Sequence, residues 1–238
     1  MISKEVVNAL KLVATEERRR VNEWFFKTGK GEYGYGDIFL GVAAPEIRRI
    51  AKKFSQEISL QELTELIRSP IHEVRLCALI ILVDKYNKEE PDRIYHYYLK
   101  HLNSVNNWDL VDTSAPHIVG DYLYNNPEKS KILLEFSHSD NLWIRRISIV
   151  STFAFIKNNE FNTTLEITKL LLNDNHDLIH KAVGWMLREI YKRDERIIKR
   201  FLRQNYAQIP RTTLRYAIER MDKEERLLYL KGNFDVSH

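Results

Sequence analysis

Asn107-Trp108-Asp109-Leu110-Val111-Asp112 sets a polar residue directly before an aromatic and apolar run with helical spacing. That is how a helix begins. The same kind of start recurs along the chain. His72-Glu73-Val74 comes before it. Asp140-Asn141-Leu142-Trp143-Ile144, His176-Asp177-Leu178-Ile179 and Pro210-Arg211-Thr212-Thr213-Leu214 come after it. The step is roughly 35 residues, room for two helices and two turns. Pro91 to Leu102 and Pro127 to Phe136 read as the outer helices of such pairs. A pair of this kind cannot bury its apolar face alone, so successive pairs must stack.

Other signals agree. Glu5 to Phe26 reads as a helical hairpin or one long helix. Pro45 opens Pro45-Glu46-Ile47-Arg48-Arg49-Ile50-Ala51-Lys52-Lys53-Phe54, with proline in the first turn and apolar residues at helical spacing. Ser59 and Glu62 have the spacing of a capping box. No alternating run bounded by turns argues for a strand. The Thr-Pro-Leu-His run of ankyrin repeats and the Trp/Leu-Gly/Tyr pattern of tetratricopeptide repeats are both missing. The expected fold is therefore all-α: a right-handed solenoid of HEAT-like helical pairs with a concave face. It is read as one domain over residues 1–238. Amino-terminal helices and a Gly-rich connection reach about residue 44, and repeats run from 45 to about 230.

Composition narrows the function classes. The 238 residues are 44% hydrophobic and 29% charged, and the net charge is +4. The isoelectric point near 9.0 and mean hydropathy of −0.41 fit a soluble protein with a nucleic-acid partner, though an ordinary basic protein has the same balance. The longest apolar run, Cys77 to Val83, is too short to span a bilayer. Met1-Ile2-Ser3-Lys4-Glu5 shows no basic region followed by an apolar stretch, so no secretory signal is read and a cytoplasmic location is expected. A single cysteine, Cys77, excludes a disulfide framework. The 8 histidines show no metal-ligand spacing, and His72 and His176 read as hydrogen-bonding residues at helix ends. Neither a metal nor a cofactor is expected, and the chain is read as a monomer.

Trp108 and Asp112 are four residues apart and so share one helix face. Arg146 and then Trp185 follow at nearly equal steps of roughly 38 residues, and equivalent positions in stacked repeats project from one surface. These four are the candidate site. The competing reading makes both tryptophans core and pairs Asp112 with Arg146 structurally. Four such residues in register weigh against it, because a core made only by packing more often uses Leu, Ile or Val.

The run Trp108-Asp109-Leu110-Val111-Asp112 resembles a motif of the AlkD-like DNA alkylation repair glycosylases. So do Asn141-Leu142-Trp143-Ile144-Arg145-Arg146 and Lys181-Ala182-Val183-Gly184-Trp185-Met186-Leu187-Arg188-Glu189. Phe39-Leu40-Gly41-Val42 with Pro45 to Arg49 is similar to the family's amino-terminal signature, and Leu214 to Arg220 also resembles it. The resemblance implies a HEAT-like fold and removal of N3- and N7-alkylated purines from double-stranded DNA. It implies that Asp112 is the catalytic carboxylate, that Trp108 and Trp185 flank the lesion's sugar and backbone, and that Arg146 holds phosphate. The family also sets an amino-terminal tyrosine against the DNA. Here that region reads Trp24-Phe25-Phe26, so a hydroxyl would have to come from elsewhere, such as Tyr33 or Tyr35.

The chemistry agrees with the residue types. An alkylated purine already carries positive charge, so its departure needs no acid. Charge growing on the sugar needs a nearby carboxylate and aromatic faces, each contributing roughly 0.5–2 kcal/mol. Candidate phosphate contacts are Arg48, Arg49, Lys52 and Lys53, and later Arg188, Lys192, Arg193, Lys199, Arg200 and Arg203. The Gly29 to Gly36 stretch mimics a phosphate loop but follows no strand, so it reads as a flexible connection. Two alternatives stand beside the glycosylase: a non-catalytic binder of DNA structure, and a protein-interaction solenoid.

Overall fold

The computed structural model describes residues 1–233, and among them the chain is helical with no strand. It divides into two compact units, the first Met1–Ile118 and the second beginning at Val119.

The first unit opens with α1 (Ile2–Leu12) and α2 (Glu16–Phe25), so the amino-terminal stretch is a pair rather than one long helix. Thr15 separates them, its hydroxyl accepting the Arg18 amide. None of the residues of α2 is buried. α3 (Ala44–Phe54) carries Pro45 in its first turn and buries Ile47, Ile50, Ala51 and Phe54 along one stripe, the stripe an amphipathic helix presents to a core. α4 (Leu60–Ile67) starts at the Ser59–Glu62 capping box. α5 (His72–Tyr86) is buried nearly all round, as a central helix must be. It packs against α3, α4, α6 (Pro91–Lys100) and α7 (Trp108–Ala115).

α7 begins where Asn107 accepts the Trp108 amide at 2.8 Å. It ends at Pro116, which has no N–H to offer the carbonyl four residues back. The chain widens there into a π turn, Pro116–Gly120, a local feature that often accompanies functional residues.

In the second unit, α8 (Asp121–Asn125), α9 (Ile132–Ser137), α10 (Leu142–Ser151), α11 (Phe153–Lys157) and α12 (Asn162–Leu171) precede a central α13 (Asp177–Tyr191). Then come α14 (Glu195–Asn205), α15 (Arg211–Ala217) and α16 (Lys223–Lys231). Pro127–Lys129 is only a 3-10 turn, so the outer helix expected from Pro127 shortens to α9. α13 packs on α10, α12, α14 and α15. Gly184 makes its approach to α15 possible: a Cβ there would lie 2.5 Å from the Tyr216 Cβ and 2.6 Å from the Thr213 carbonyl. Helices α5, α7, α10, α13 and α15 begin within a residue or two of the five starts read from the sequence. None of the helices among the described residues is long and apolar enough to cross a membrane.

Candidate nucleic-acid interface and active site

Trp108 and Asp112 lie one turn apart on α7 and open onto one cleft of the first unit, about 840 Å³ in volume. Phe25 of α2, Phe26 just after it, Arg48 of α3 and His117 of the π turn also line it. Leu76, Ile80 and Val83 of α5 contribute an apolar wall. The cleft thus combines apolar surface with two carboxylates, Asp109 and Asp112, and two guanidinium groups, Arg18 and Arg48.

Aromatic packing fixes Trp108. The Phe26 ring stacks on it at 5.4 Å with planes 20° apart, and Phe25 meets it edge-on at 5.8 Å and 73°. Both geometries suit the ring quadrupole. Phe26 in turn stacks on Phe39 at 5.1 Å. The aromatic residues at the amino-terminal position therefore meet the α7 tryptophan directly. No tyrosine lines the cleft among the described residues. The Tyr33 hydroxyl donates to the Phe25 carbonyl at 3.4 Å. Tyr35 lies on another hollow, beside Arg68 and Asn103.

Beneath these rings is a buried charge network. His72 opens α5 and is 1% exposed. Its Nε2 lies 2.8 Å from Asp109 and its Nδ1 3.3 Å from Asp37. Asp37 also accepts from Arg75 at 2.6 Å and from Asn107 at 3.1 Å. Burial pulls the His72 pKa down, but the charge and hydrogen bond of Asp109 and the hydrogen bond of Asp37 outweigh it and raise it to about 9. Burial pushes the Asp37 carboxyl up, yet hydrogen bonding to His72 and the Arg75 charge bring it below its ordinary value. Next to His72, the Glu73 carboxylate accepts the amides of Leu40, Gly41 and Val42 and the Asn22 side chain. Gly41 has φ +90°, and a Cβ there would run into the backbone at Thr15 and Arg19. The loop carrying Gly41 is thereby pinned against α2.

The candidate phosphate contacts of the first unit differ in availability. Arg48 is exposed and lines the cleft. Arg49 is folded onto Glu46 at 2.6 Å. Lys52 shares a neighbouring hollow of about 310 Å³ with Arg48.

In the second unit, Arg146 on α10 is 5% exposed and donates to the Leu178 carbonyl at 2.5 Å, which fastens it to the first turn of α13. Trp185 is half-buried. Its Nε1 donates to Glu189 at 3.1 Å, and its ring lies 5.9 Å from Phe153. Arg188 is ion-paired with Glu219. His176 caps α13 by accepting the Leu178 amide at 3.2 Å.

Sequence reading identified Trp108, Asp112 and Arg48, and the structure brings them to one cleft. It did not identify Phe26 or His117 as parts of that cleft, nor the His72–Asp109–Asp37 network beneath it. One signal was available: His72 and Asp109 occupy the first turns of helices one repeat apart.

Residues 6–221 match the family described as DNA alkylation repair enzyme. Among curated protein sequences there is no significant match. A predicted DNA alkylation repair enzyme from Enterococcus faecalis is similar in structure. Its TM-score is 0.70 at 16% identity, covering 88% of this chain and 97% of that one. AlkD2 from Streptococcus mutans gives 0.56 at 16% identity, covering 87% and 99%. The protein smu.31 from Streptococcus mutans UA159 gives 0.54 at 17% identity, covering 93% and 100%. At these identities the likeness shows a shared fold.

Proposed function

Because this chain belongs to the DNA alkylation repair enzyme family, we propose that it is a DNA glycosylase that hydrolyses the N-glycosidic bond of N3- and N7-alkylated purines in double-stranded DNA. One observation carries the reading: Asp112 and Trp108 share a face of α7 and open onto an aromatic cleft that also holds Arg48. A site for an ordinary apolar ligand has no use for a carboxylate among ring faces. A site that stabilises a cationic sugar needs that combination.

The reaction follows from the charge of the substrate. As the glycosidic bond breaks, its electron pair leaves with the alkylated base, which becomes neutral. Positive charge moves to the sugar, and the Asp112 carboxylate stabilises it while the Trp108 face adds cation–π attraction. Water adds at the anomeric carbon and gives up a proton to the surrounding water, leaving a hydroxyl on an abasic sugar. Asp112 is assigned to orient that water. Arg48 and Lys52 are assigned to phosphate, and Arg49 joins them once it leaves Glu46. In the second unit, Arg146 is assigned to phosphate, Trp185 to the backbone beside the lesion, and Arg188 to a further phosphate contact once Glu219 releases it. The protein acts as a monomer in the cytoplasm and needs no cofactor on this reading.

The test is release of 7-methylguanine or 3-methyladenine from methylated duplex DNA by the purified protein. Release supports the assignment. Binding to branched or bulged DNA without release replaces it with a non-catalytic DNA-binding role. Absence of DNA binding at low salt replaces it with a protein-interaction role.

A further inference from the structure

The charge network under the cleft has a role beyond packing. His72 presents each ring nitrogen to a carboxylate oxygen, Nε2 to Asp109 at 2.8 Å and Nδ1 to Asp37 at 3.3 Å. An ionised carboxylate only accepts hydrogen bonds, so satisfying both contacts requires protons on both nitrogens. Phe39 stacks on the ring at 4.6 Å and Phe26 packs against it at 4.8 Å, and since those two rings are themselves 5.1 Å apart they lie on the same side of it. The imidazolium is thus held on its edges by carboxylates and packed on one side by a pair of aromatic rings.

The partners of that ring position the cleft. Asp109 follows Trp108 in the first turn of α7. Asp37 accepts from Asn107, the residue that caps the same turn. Phe26, which covers His72, also stacks on Trp108. One side chain from α5 therefore ties the start of α7 to the chain around Asp37 and to the end of α2.

We propose that His72 is a positioning residue for the glycosidic step: donating from both ring nitrogens, it clamps the first turn of α7 and so sets Trp108 and Asp112 toward the DNA. The proposal rests on the glycosylase reading for its kinetic consequence and on the structure for the clamp itself. The charged groups facing His72 are Asp109 on α7, Asp37 in the chain before α3, and Arg75 on α5, which pairs with Asp37 and whose own charge opposes the second proton on His72. The neighbouring Glu73 is turned to the Leu40–Val42 amides. The two acidic partners outweigh Arg75, and the ring keeps its second proton until about pH 9.

Three measurements on the full chain test this. The first follows the His72 ring nitrogens by ¹⁵N NMR. The second follows single-turnover base release, with DNA affinity measured beside it, for the intact protein, His72→Gln and Asp109→Asn. The third records the Trp108 resonance in 5-fluorotryptophan-labelled protein. The expected results are a doubly protonated ring at pH 7.5 that titrates near pH 9, and a release rate that falls through the same range. His72→Gln should lose about 10- to 100-fold in rate, as small misplacements at an active site do, with DNA affinity within about threefold. Should His72→Gln fail to fold, Asp109→Asn carries the test. A neutral amide still donates to an unprotonated Nε2 but no longer stabilises the imidazolium, so the alkaline limb should move down by more than about one pH unit. A ring that titrates near its ordinary value, or a His72→Gln rate equal to that of the intact protein, overturns the proposal. If the intact protein releases no base, the glycosylase reading falls by itself. The clamp is then decided by the ring titration and the Trp108 resonance: a shifted resonance in His72→Gln supports it, and an unmoved one overturns it.

Discussion

The ring of Phe26 stacks on that of Trp108 with centroids 5.4 Å apart and planes inclined by 20°. This contact joins the end of the exposed helix α2 to the helix that carries Asp112. Removing the Phe26 ring loses the stack and part of the apolar cover of His72. We expect Phe26→Ala to destabilise the fold by about 2 kcal/mol, below a fully buried Phe→Ala change because Phe26 is half-buried. Phe26→Leu should lose less. Denaturant titration reads the difference, and a Phe26→Ala protein as stable as the parent would remove the stack from the account.

Glu73 holds the loop that closes the cleft. Its carboxylate takes three backbone amides and one side-chain amide. Glu73→Gln keeps the shape but gives up the charge and turns an NH₂ toward donors. The expected loss is about 3 kcal/mol, because hydrogen bonds to charged groups are the costly ones to break. Hydrogen exchange at Leu40 to Val42 should rise with it. Unchanged protection there would show that the loop is held by something else.

Stability should depend on pH through His72. Its pKa is raised from 6.5 when unfolded to about 9 when folded. The stabilisation is therefore complete below about pH 6.5 and is lost as pH rises through about 9, and its size is on the order of 3 kcal/mol. Chemical denaturation of the intact protein between pH 6 and 10 should show a decline that His72→Gln lacks. Parallel curves for the two proteins would contradict the raised pKa.

Arg48 and Arg49 are neighbours with different environments. Arg48 lines the cleft, and Arg49 is held by Glu46 at 2.6 Å. Arg48→Ala should weaken DNA binding and reduce the slope of log affinity against log salt by about 1. Arg49→Ala should change the slope less, since its charge is already partly met. Fluorescence anisotropy at several salt concentrations separates them, and equal slopes for the two variants would remove Arg48 from the interface.

Much of the helical layout was legible because helix starts are local. Asn107, Ser59 and Pro45 mark starts by their own chemistry, and apolar spacing marks the buried stripe of α3. The shared face of Trp108 and Asp112 was legible for the same reason, since four residues make one turn. What joins distant stretches was not legible. His72 meets Asp109 37 residues away, and Asn107 meets Asp37 70 residues away. The charge of Arg188 marked it for phosphate, but nothing local showed that Glu219 takes its guanidinium. The length of α9 was overestimated because Pro127 opens only a 3-10 turn. The motif tyrosine was sought at Tyr33 or Tyr35, whereas the cleft holds Phe25 and Phe26.

The central claim is that Asp112 stabilises the sugar cation, and one measurement addresses it directly. Single-turnover release of 7-methylguanine from methylated duplex DNA is compared for the intact protein and Asp112→Asn, with DNA affinity measured in parallel. The account predicts release by the intact protein and a loss of about 100-fold or more in the variant, the size seen when an electrostatic stabiliser is removed, with affinity kept. Equal release by the two proteins would contradict it.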